Sequence, residues 1–310
     1  MTSSSAPSIV ILMGTYNGAK YIKEQLDSFE VQTHLNWRLV VSDDGSVDDT
    51  LDILKSYQLK WGQDKLVIKY GPKRGFAINF LTLAADPSIQ ADYYAFSDQD
   101  DVWLPQKLAA AVSYLSTVYP LIPQAYGGRT IYVDESLGEI GRSDVFAYPR
   151  SFRNALVQSI VGGNTIAFNH TTKMLFEKTG VLEIVSHDWW TYMLVEGVSG
   201  YFYFDPEPYI LYRQHAGSLI GANTNLRAIL IRVWLLISGK FKAWNTINAK
   251  ALLKIRDVLD RKNVDIVEEF LRMRDAGLVA RIRMLNVCGL FRQGWRSNAG
   301  LLFAVILKKI

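Results

Sequence analysis

The sequence predicts an α/β protein, with a mostly parallel sheet over residues 1–225 and a basic helical region over 226–310. Three observations carry this. Short apolar runs alternate with amphipathic helix patterns along the first 120 residues, which is how parallel strands joined by crossovers read. Turn residues and acids collect at the ends of the apolar runs rather than within them. After residue 225 Leu, Ile and Val recur with cations opposite them, a helical pattern.

In chain order, "SIVILMGT" is a strand and "AKYIKEQLDSFEVQ" an amphipathic helix. "WRLVVSDDG" is again a strand, "VDDTLDILKSY" a helix and "KLVIKY" a strand. "FAINFLTLAA" is helical, "DYYAFSD" a strand, and a further helix starts near Val102, with Asp101 as its candidate cap and Pro105 in its first turn. Residues 121–225 are less regular and richer in Gly, Pro and Tyr. In open sheets of this kind ligands bind beyond the carboxyl ends of the strands. The clusters "GTYNG", "SDDGS" and "SDQDD" end three strands and are therefore expected to face one crevice.

Composition sets the outer bounds. The 310 residues carry a net charge of +4, but residues 226–310 hold 17 basic against 6 acidic residues and 1–225 hold 17 against 24. An acidic body thus carries a basic tail suited to an anionic partner: a membrane surface, nucleic acid or a phosphorylated acceptor. No nucleic-acid module is recognisable in that tail. The single cysteine, Cys288, leaves no internal disulfide framework and fits a reducing compartment. The N-terminus lacks a basic n-region, and no apolar run reaches the roughly 18–20 residues of a spanning helix. Phosphate-loop, Gly-x-Gly-x-x-Gly, His-Glu-x-x-His, Cys-x-x-Cys and Gly-x-Ser-x-Gly patterns are all missing.

Several clusters carry chemistry. Asp98 and Asp100 in "SDQDD" repel each other at close range unless a cation or proton lies between them, and they are hard oxygen ligands of the kind Mg²⁺ or Mn²⁺ prefers. Asp43 and Asp44, with Gly45 and Ser46, serve either a turn or hydrogen bonds to a ribose or base. Lys73 and Arg74 open a helix as an anion site or a solvated turn. Asp188 in "SHDWW" either caps a helix or acts as a general base partly desolvated by indole faces. Trp189 and Trp190 are core residues or stack on a sugar ring. His215 in "YRQHAGS", beside Arg213 and Gln214, is structural or a third ligand for Mn²⁺.

The ordered blocks "TYNGAKYIKEQLDS", "SDDGSVDDT", "FAINFL", "FSDQDDVW", "GGNTIAFN", "HDWW" and "YRQHAGS" resemble the family 2 glycosyltransferases, inverting enzymes with the Rossmann-like GT-A fold. They are most like the bacterial rhamnosyltransferases of O-antigen and related surface polysaccharides. The likeness covers about residues 8–225. It implies a nucleotide-sugar donor, dTDP-L-rhamnose, and a lipid-linked or glycan acceptor at the cytoplasmic face of the inner membrane. It implies that Asp100 is the principal ligand of a Mg²⁺ or Mn²⁺ ion on the donor diphosphate and Asp98 the ribose or second acid. By the same likeness Thr15, Tyr16, Asn17, Asp43, Asp44, Gly45, Arg74 and Asn79 surround the nucleotide. Asp188 is the catalytic base, and Arg213 and His215 meet the diphosphate or metal. Asn164, Trp189, Trp190 and Gln214 line the substrate side. Ser218 and the "GGN" at Gly162–Asn164 depart from the family's usual residues, which bears on the sugar rather than the reaction. The basic tail is expected to serve membrane-surface association or a homo-oligomer. A sugar nucleotidyltransferase and a non-catalytic binding protein are the rival classes; the first would carry a Gly-rich basic loop where this chain has "GTYNG".

Overall fold

The computed structural model describes residues 6–117, 120–146, 149–214 and 234–310. Its first half alternates β1 (Ile9–Thr15), α1 (Ile22–Glu30), β2 (Trp37–Asp43), α2 (Thr50–Trp61), β3 (Leu66–Tyr70), α3 (Phe76–Ala85) and β4 (Tyr93–Ser97). There follow β5 (Val102–Trp103), α4 (Lys107–Leu115), β6 (Gln124–Gly128), β7 (Ile131–Val133), β8 (Glu139–Arg142), α5 (Phe152–Ala155), β9 (Ala167–Asn169), α6 (His170–Thr179), α7 (His187–Gly197), β10 (Tyr201–Asp205) and β11 (Ile210–Arg213). The C-terminal part is helical: α8 (Lys240–Lys254), α9 (Arg261–Asp275), α10 (Leu278–Cys288) and α11 (Trp295–Ile306).

Among the described residues the main sheet has seven strands in the order β10-β6-β9-β4-β1-β2-β3. Its pairs are parallel except those of β9, which runs antiparallel to both β4 and β6. Alternation along β1 shows why this strand is central. Val10 and Leu12 enter an apolar cluster with α3, α6 and α7, while Ile9, Ile11 and Met13 enter a second cluster with α1, α2 and α4. A strand covered on both faces reads as a continuous apolar run, which is what "IVILM" is.

Helices α8, α9, α10 and α11 add Leu252, Phe270, Leu285 and Leu301 to the first cluster, the one that holds Trp190 and Tyr192 of α7. The C-terminal region therefore shares its apolar core with the sheet-bearing part. No described helix is long and apolar enough to cross a membrane.

One start differs from expectation. Val102 and Trp103 do not open a helix; they pair antiparallel with Leu211 and Ile210, and α4 begins only at Lys107. Asp101 is consequently no helix cap. It joins β4 to a second, four-stranded sheet of order β5-β11-β7-β8.

Candidate active site

Register places the three polar loops side by side. Thr15 at the end of β1 pairs with Asp43 at the end of β2, and Met13 pairs with Ser97 at the end of β4. Side chains then stitch the loops together. Gln99 accepts from the Tyr16 N–H at 2.9 Å and donates to the Tyr16 carbonyl at 3.0 Å. Asn17 Oδ1 accepts from the Val47 N–H at 2.9 Å, and the Asn17 N–H donates to Ser46 Oγ at 2.8 Å. Asn17 has φ +49°, a conformation Asn tolerates better than most residues.

Asp43 is buried and accepts from Thr15 Oγ1 and from the N–H groups of Gly45 and Ser46 at 2.8–3.1 Å. Asp44 accepts from the Lys73 and Gly75 N–H groups at 2.6 and 2.8 Å, which fixes the loop presenting Arg74. Arg74 is exposed and meets Glu183 at 3.3 Å, a pair that water and salt weaken. Tyr16 stands out from this wall with 58% of its surface exposed.

The acids of "SDQDD" divide into two groups. Asp98 and Asp100 are half-buried, whereas Asp101 is fully enclosed. Burial, then the negative charges of Asp100 and Asp188, push the Asp98 carboxyl up to about 7. Asp188, ninety residues on in the chain, reaches this end of the sheet through its neighbour His187, whose ring lies 4.9 Å from that of Phe96 on β4. Asp188 lies in the first turn of α7, where free helix N–H groups favour negative charge. The N-cap position belongs to Ser186, so Asp188 does not cap the helix. Ser159 Oγ reaches Asp188 Oδ2 at 3.4 Å.

Asp101 is the residue that sequence reading undervalued. Its carboxylate accepts from Asn164 Nδ2 at 2.5 Å and from the Arg213 backbone N–H at 3.2 Å. It thereby ties the "DQDD" turn to the "GGN" turn and to β11. Burial pushes its carboxyl well up, with Asp100 and Asp98 adding to the shift. Burial also pushes the neighbouring Lys107, whose Nζ lies 3.7 Å from the Trp103 ring centre, down to about 7. Replacing Asp101 by an apolar residue would leave two buried donors without acceptors, at about 1–3 kcal/mol each. The signal was a third acid in an apolar context, visible in the sequence but assigned there to a cap.

Burial turns five other residues away from the roles expected of them. Arg213 is 1% exposed; it donates to the carbonyls of Asp100 at 3.0 Å and Glu135 at 2.6 Å, pairs with Glu24 and lies over the Tyr21 ring. It holds the Asp100 turn from behind instead of reaching into the crevice. Asn79 is buried in a two-way bond with Ser42, and Asn164 is spent on Asp101. Trp189 donates from Nε1 to the Ala155 carbonyl at 2.6 Å, and Trp190 has no exposed surface. Both indoles belong to the core, so neither offers a ring face to a sugar. Gln214 sits half-buried at the end of β11, its N–H on the Val133 carbonyl. His215 and Ser218 lie outside the described residues.

His187 fixes the start of α7, the helix that carries Asp188. Its ring stacks on Phe80 at 3.9 Å, and a Cβ at Gly163 would fall 2.1 Å from its Nε2, so only glycine allows the approach. Burial pushes its imidazole down from 6.5 to about 4. The folded value lies below the unfolded one, so the stability it confers is complete above pH 6.5 and is lost as pH falls toward 4. Over that window the loss is on the order of 3 kcal/mol. Asp98 acts in the opposite sense between its unfolded value and 7, so the test is a difference. Thermal melts of wild type and His187→Phe from pH 7 to 4 should show the wild type losing more stability; parallel curves would contradict a neutral buried ring.

Residues 10–181 match the family described as glycosyl transferase family 2. The chain belongs to that family. It is 30% identical over 257 residues to the dTDP-rhamnosyl transferase RfbG of Shigella flexneri, spanning 77% of this chain and 84% of that protein. It is 26% identical to an uncharacterized glycosyltransferase of Rickettsia prowazekii across 71% of this chain and 68% of the other. Among solved structures, the mannosyltransferase PcManGT from Pyrobaculum calidifontis, in complex with GDP-Man and Mn²⁺, superposes with a TM-score of 0.51 at 17% identity, covering 99% of this chain and 88% of that one. S. aureus TarS gives a TM-score of 0.51 at 14% identity over 90% and 88%. At these identities the structures establish the fold, GT-A with C-terminal helices, and this family 2 chain is a glycosyltransferase of that type.

Proposed function

We propose that this glycosyltransferase moves L-rhamnose from dTDP-L-rhamnose to a hydroxyl of a lipid-linked or cell-surface glycan, with inversion at the anomeric carbon. The observation that carries the reading is the strand-end placement of Asp98 and Asp100 beside the loops after β1 and β2, with α7 set against the end of β4 through His187, the residue before Asp188, whose ring lies 4.9 Å from that of Phe96. The rhamnose assignment is supported by the relative whose name states that donor.

The residues fit a divalent cation, Mg²⁺ or Mn²⁺. Asp98 and Asp100 offer hard oxygens under an excess of negative charge, which adds to burial in raising Asp98. Among the described residues no group of three or more His, Cys, Asp or Glu encloses a metal ion, so further oxygens would come from the donor's diphosphate. A cation held there supplies charge neutralisation for the departing diphosphate. The chain's own groups do the rest. Asp188 takes the proton from the acceptor hydroxyl as its oxygen bonds to the anomeric carbon and the bond from that carbon to the phosphate oxygen breaks. Ser159 steadies Asp188, and Arg213 and Asp101 hold the turn carrying Asp100. Tyr16, Asp43 and Asp44 form the wall offered to the base and ribose, with Arg74 at its rim.

A UDP-sugar or another dTDP-deoxysugar is the second reading of the donor, since the nucleotide wall is built largely from backbone and acids shared by many such sites. Calorimetry with Mn²⁺ and dTDP-L-rhamnose, UDP-GlcNAc or GDP-mannose decides it. The dTDP sugar should bind at least about tenfold more tightly, a gap of 1.4 kcal/mol. Preference for a UDP or GDP sugar would overturn the rhamnose assignment and leave the reaction class intact.

A further inference from the structure

The positive charge of the C-terminal region is not spread evenly. All six of its acids lie between Asp257 and Asp275, where Glu268, Glu269 and Asp265 pair with Arg256, Arg272 and Arg261. From residue 276 to 310 there are six cations and no acid. Two of these are internal: buried Arg281 donates to the carbonyls of Val305 and Ile306, and Arg292 to that of Val157. The remaining cations, Arg283, Arg296, Lys308 and Lys309, make no ion pair among the described residues.

Helix α11 carries an exposed apolar stripe on the same hairpin. Trp295, Leu302, Phe303 and Ile306 recur at helical spacing and face solvent, Trp295 at 72% and Phe303 at 48%, while Leu301, Ala304 and Val305 fill the core. On neighbouring α10, Val279 and Val287 are exposed on either side of Arg283. An apolar stripe flanked by unpaired cations is the pattern of a helix lying in a bilayer interface. A second copy of this chain is the poorer occupant, because it would bring the same unpaired cations face to face with no acid between them.

The hairpin is also bolted to the segment that meets Asp188. Its turn meets α5 and the segment after it: Arg153 donates to the Cys288 carbonyl, Asn154 Nδ2 to that of Phe291 at 3.0 Å, and the Gln293 N–H to Gln158 Oε1 at 2.6 Å. The residue after Gln158 is Ser159, which meets Asp188.

We propose that α10 and α11 form a docking face for an anionic lipid surface, which would hold the Asp188 side of the crevice against the bilayer. Its bearing on a lipid-linked acceptor rests on the transferase reading; the lipid binding itself does not. Each cation held at an anionic surface strengthens attachment about fivefold, so Lys308→Gln with Lys309→Gln should weaken it about 25-fold. The experiment is co-sedimentation of the full chain, without sugar nucleotide, with phosphatidylglycerol-rich or pure phosphatidylcholine vesicles. The protein should pellet with the anionic vesicles alone and detach in roughly 0.5 M salt, where screening shortens to a few Å. Phe303→Glu with Ile306→Glu should abolish pelleting without lowering the melting temperature, since both residues are exposed. Equal partition to both vesicles, none to either, or undiminished binding by the charge-reversed stripe would overturn the proposal. So would a concentration-dependent dimer, dissolved by the same substitutions, in a protein that ignores vesicles.

Discussion

Asp188→Asn is expected to lower glycosyl transfer by about 10²–10⁴-fold while leaving donor affinity within about twofold. The amide fills the same space, and Ser159 Oγ can still donate to its oxygen, so α7 should keep its place against Phe80 and Gly163. What is lost is a group able to take the acceptor's proton. Donor binding is expected to survive because the nucleotide wall is assembled from the loops after β1 and β2, which Asp188 does not support. Calorimetry with the sugar nucleotide, run beside a transfer assay, separates the two effects. A parallel loss of binding and turnover would make Asp188 a structural residue of α7.

The second large effect is expected at Asp100. Asp100→Ala should reduce turnover by at least about 10²-fold, the scale on which removing stabilisation of developing charge is felt. EDTA should do the same to the wild type, and Mn²⁺ or Mg²⁺ should restore it. The melting temperature should barely move. Arg213 holds the turn through the Asp100 backbone carbonyl and not through the carboxylate, and the substitution removes one charge from a crowded acidic cluster. Full turnover in EDTA would refute the metal assignment even if Asp100→Ala were inactive.

Much of this architecture was legible because it is local. The apolar run "IVILM", the Gly and Asp that stop it and the helix pattern behind it are consecutive, so β1, β2, β4 and the loops beyond them follow from short-range rules. The convergence of "GTYNG", "SDDGS" and "SDQDD" was legible for the same reason, since parallel strands put their carboxyl ends together. What the sequence hid depends on long-range pairing. Arg213 reads as a cation beside a histidine; only the pairing of β11 with β5 turns its guanidinium behind Asp100. Asp101 reads as a cap until that same pairing encloses it. Trp189 and Trp190 suggest a sugar platform, yet both lie inside the main apolar cluster, with Trp189 bonded to the Ala155 carbonyl of α5. The apolar stretch "GLLFAVILKKI" cannot be divided by eye either. Burial sorts Leu301, Ala304 and Val305 inward from Leu302, Phe303 and Ile306 outward.

The central claim is that one crevice breaks the bond from a sugar to a nucleoside diphosphate, with Asp188 serving the incoming hydroxyl. Phosphorus NMR of the purified chain with Mn²⁺ and dTDP-L-rhamnose tests it most directly, because slow transfer to water needs no knowledge of the acceptor. Free dTDP should accumulate with wild type, stop on addition of EDTA, and fall to background with Asp188→Asn although the donor still binds. An unchanged donor spectrum with bound, correctly folded wild type, or equal release by the Asp188→Asn protein, would contradict it.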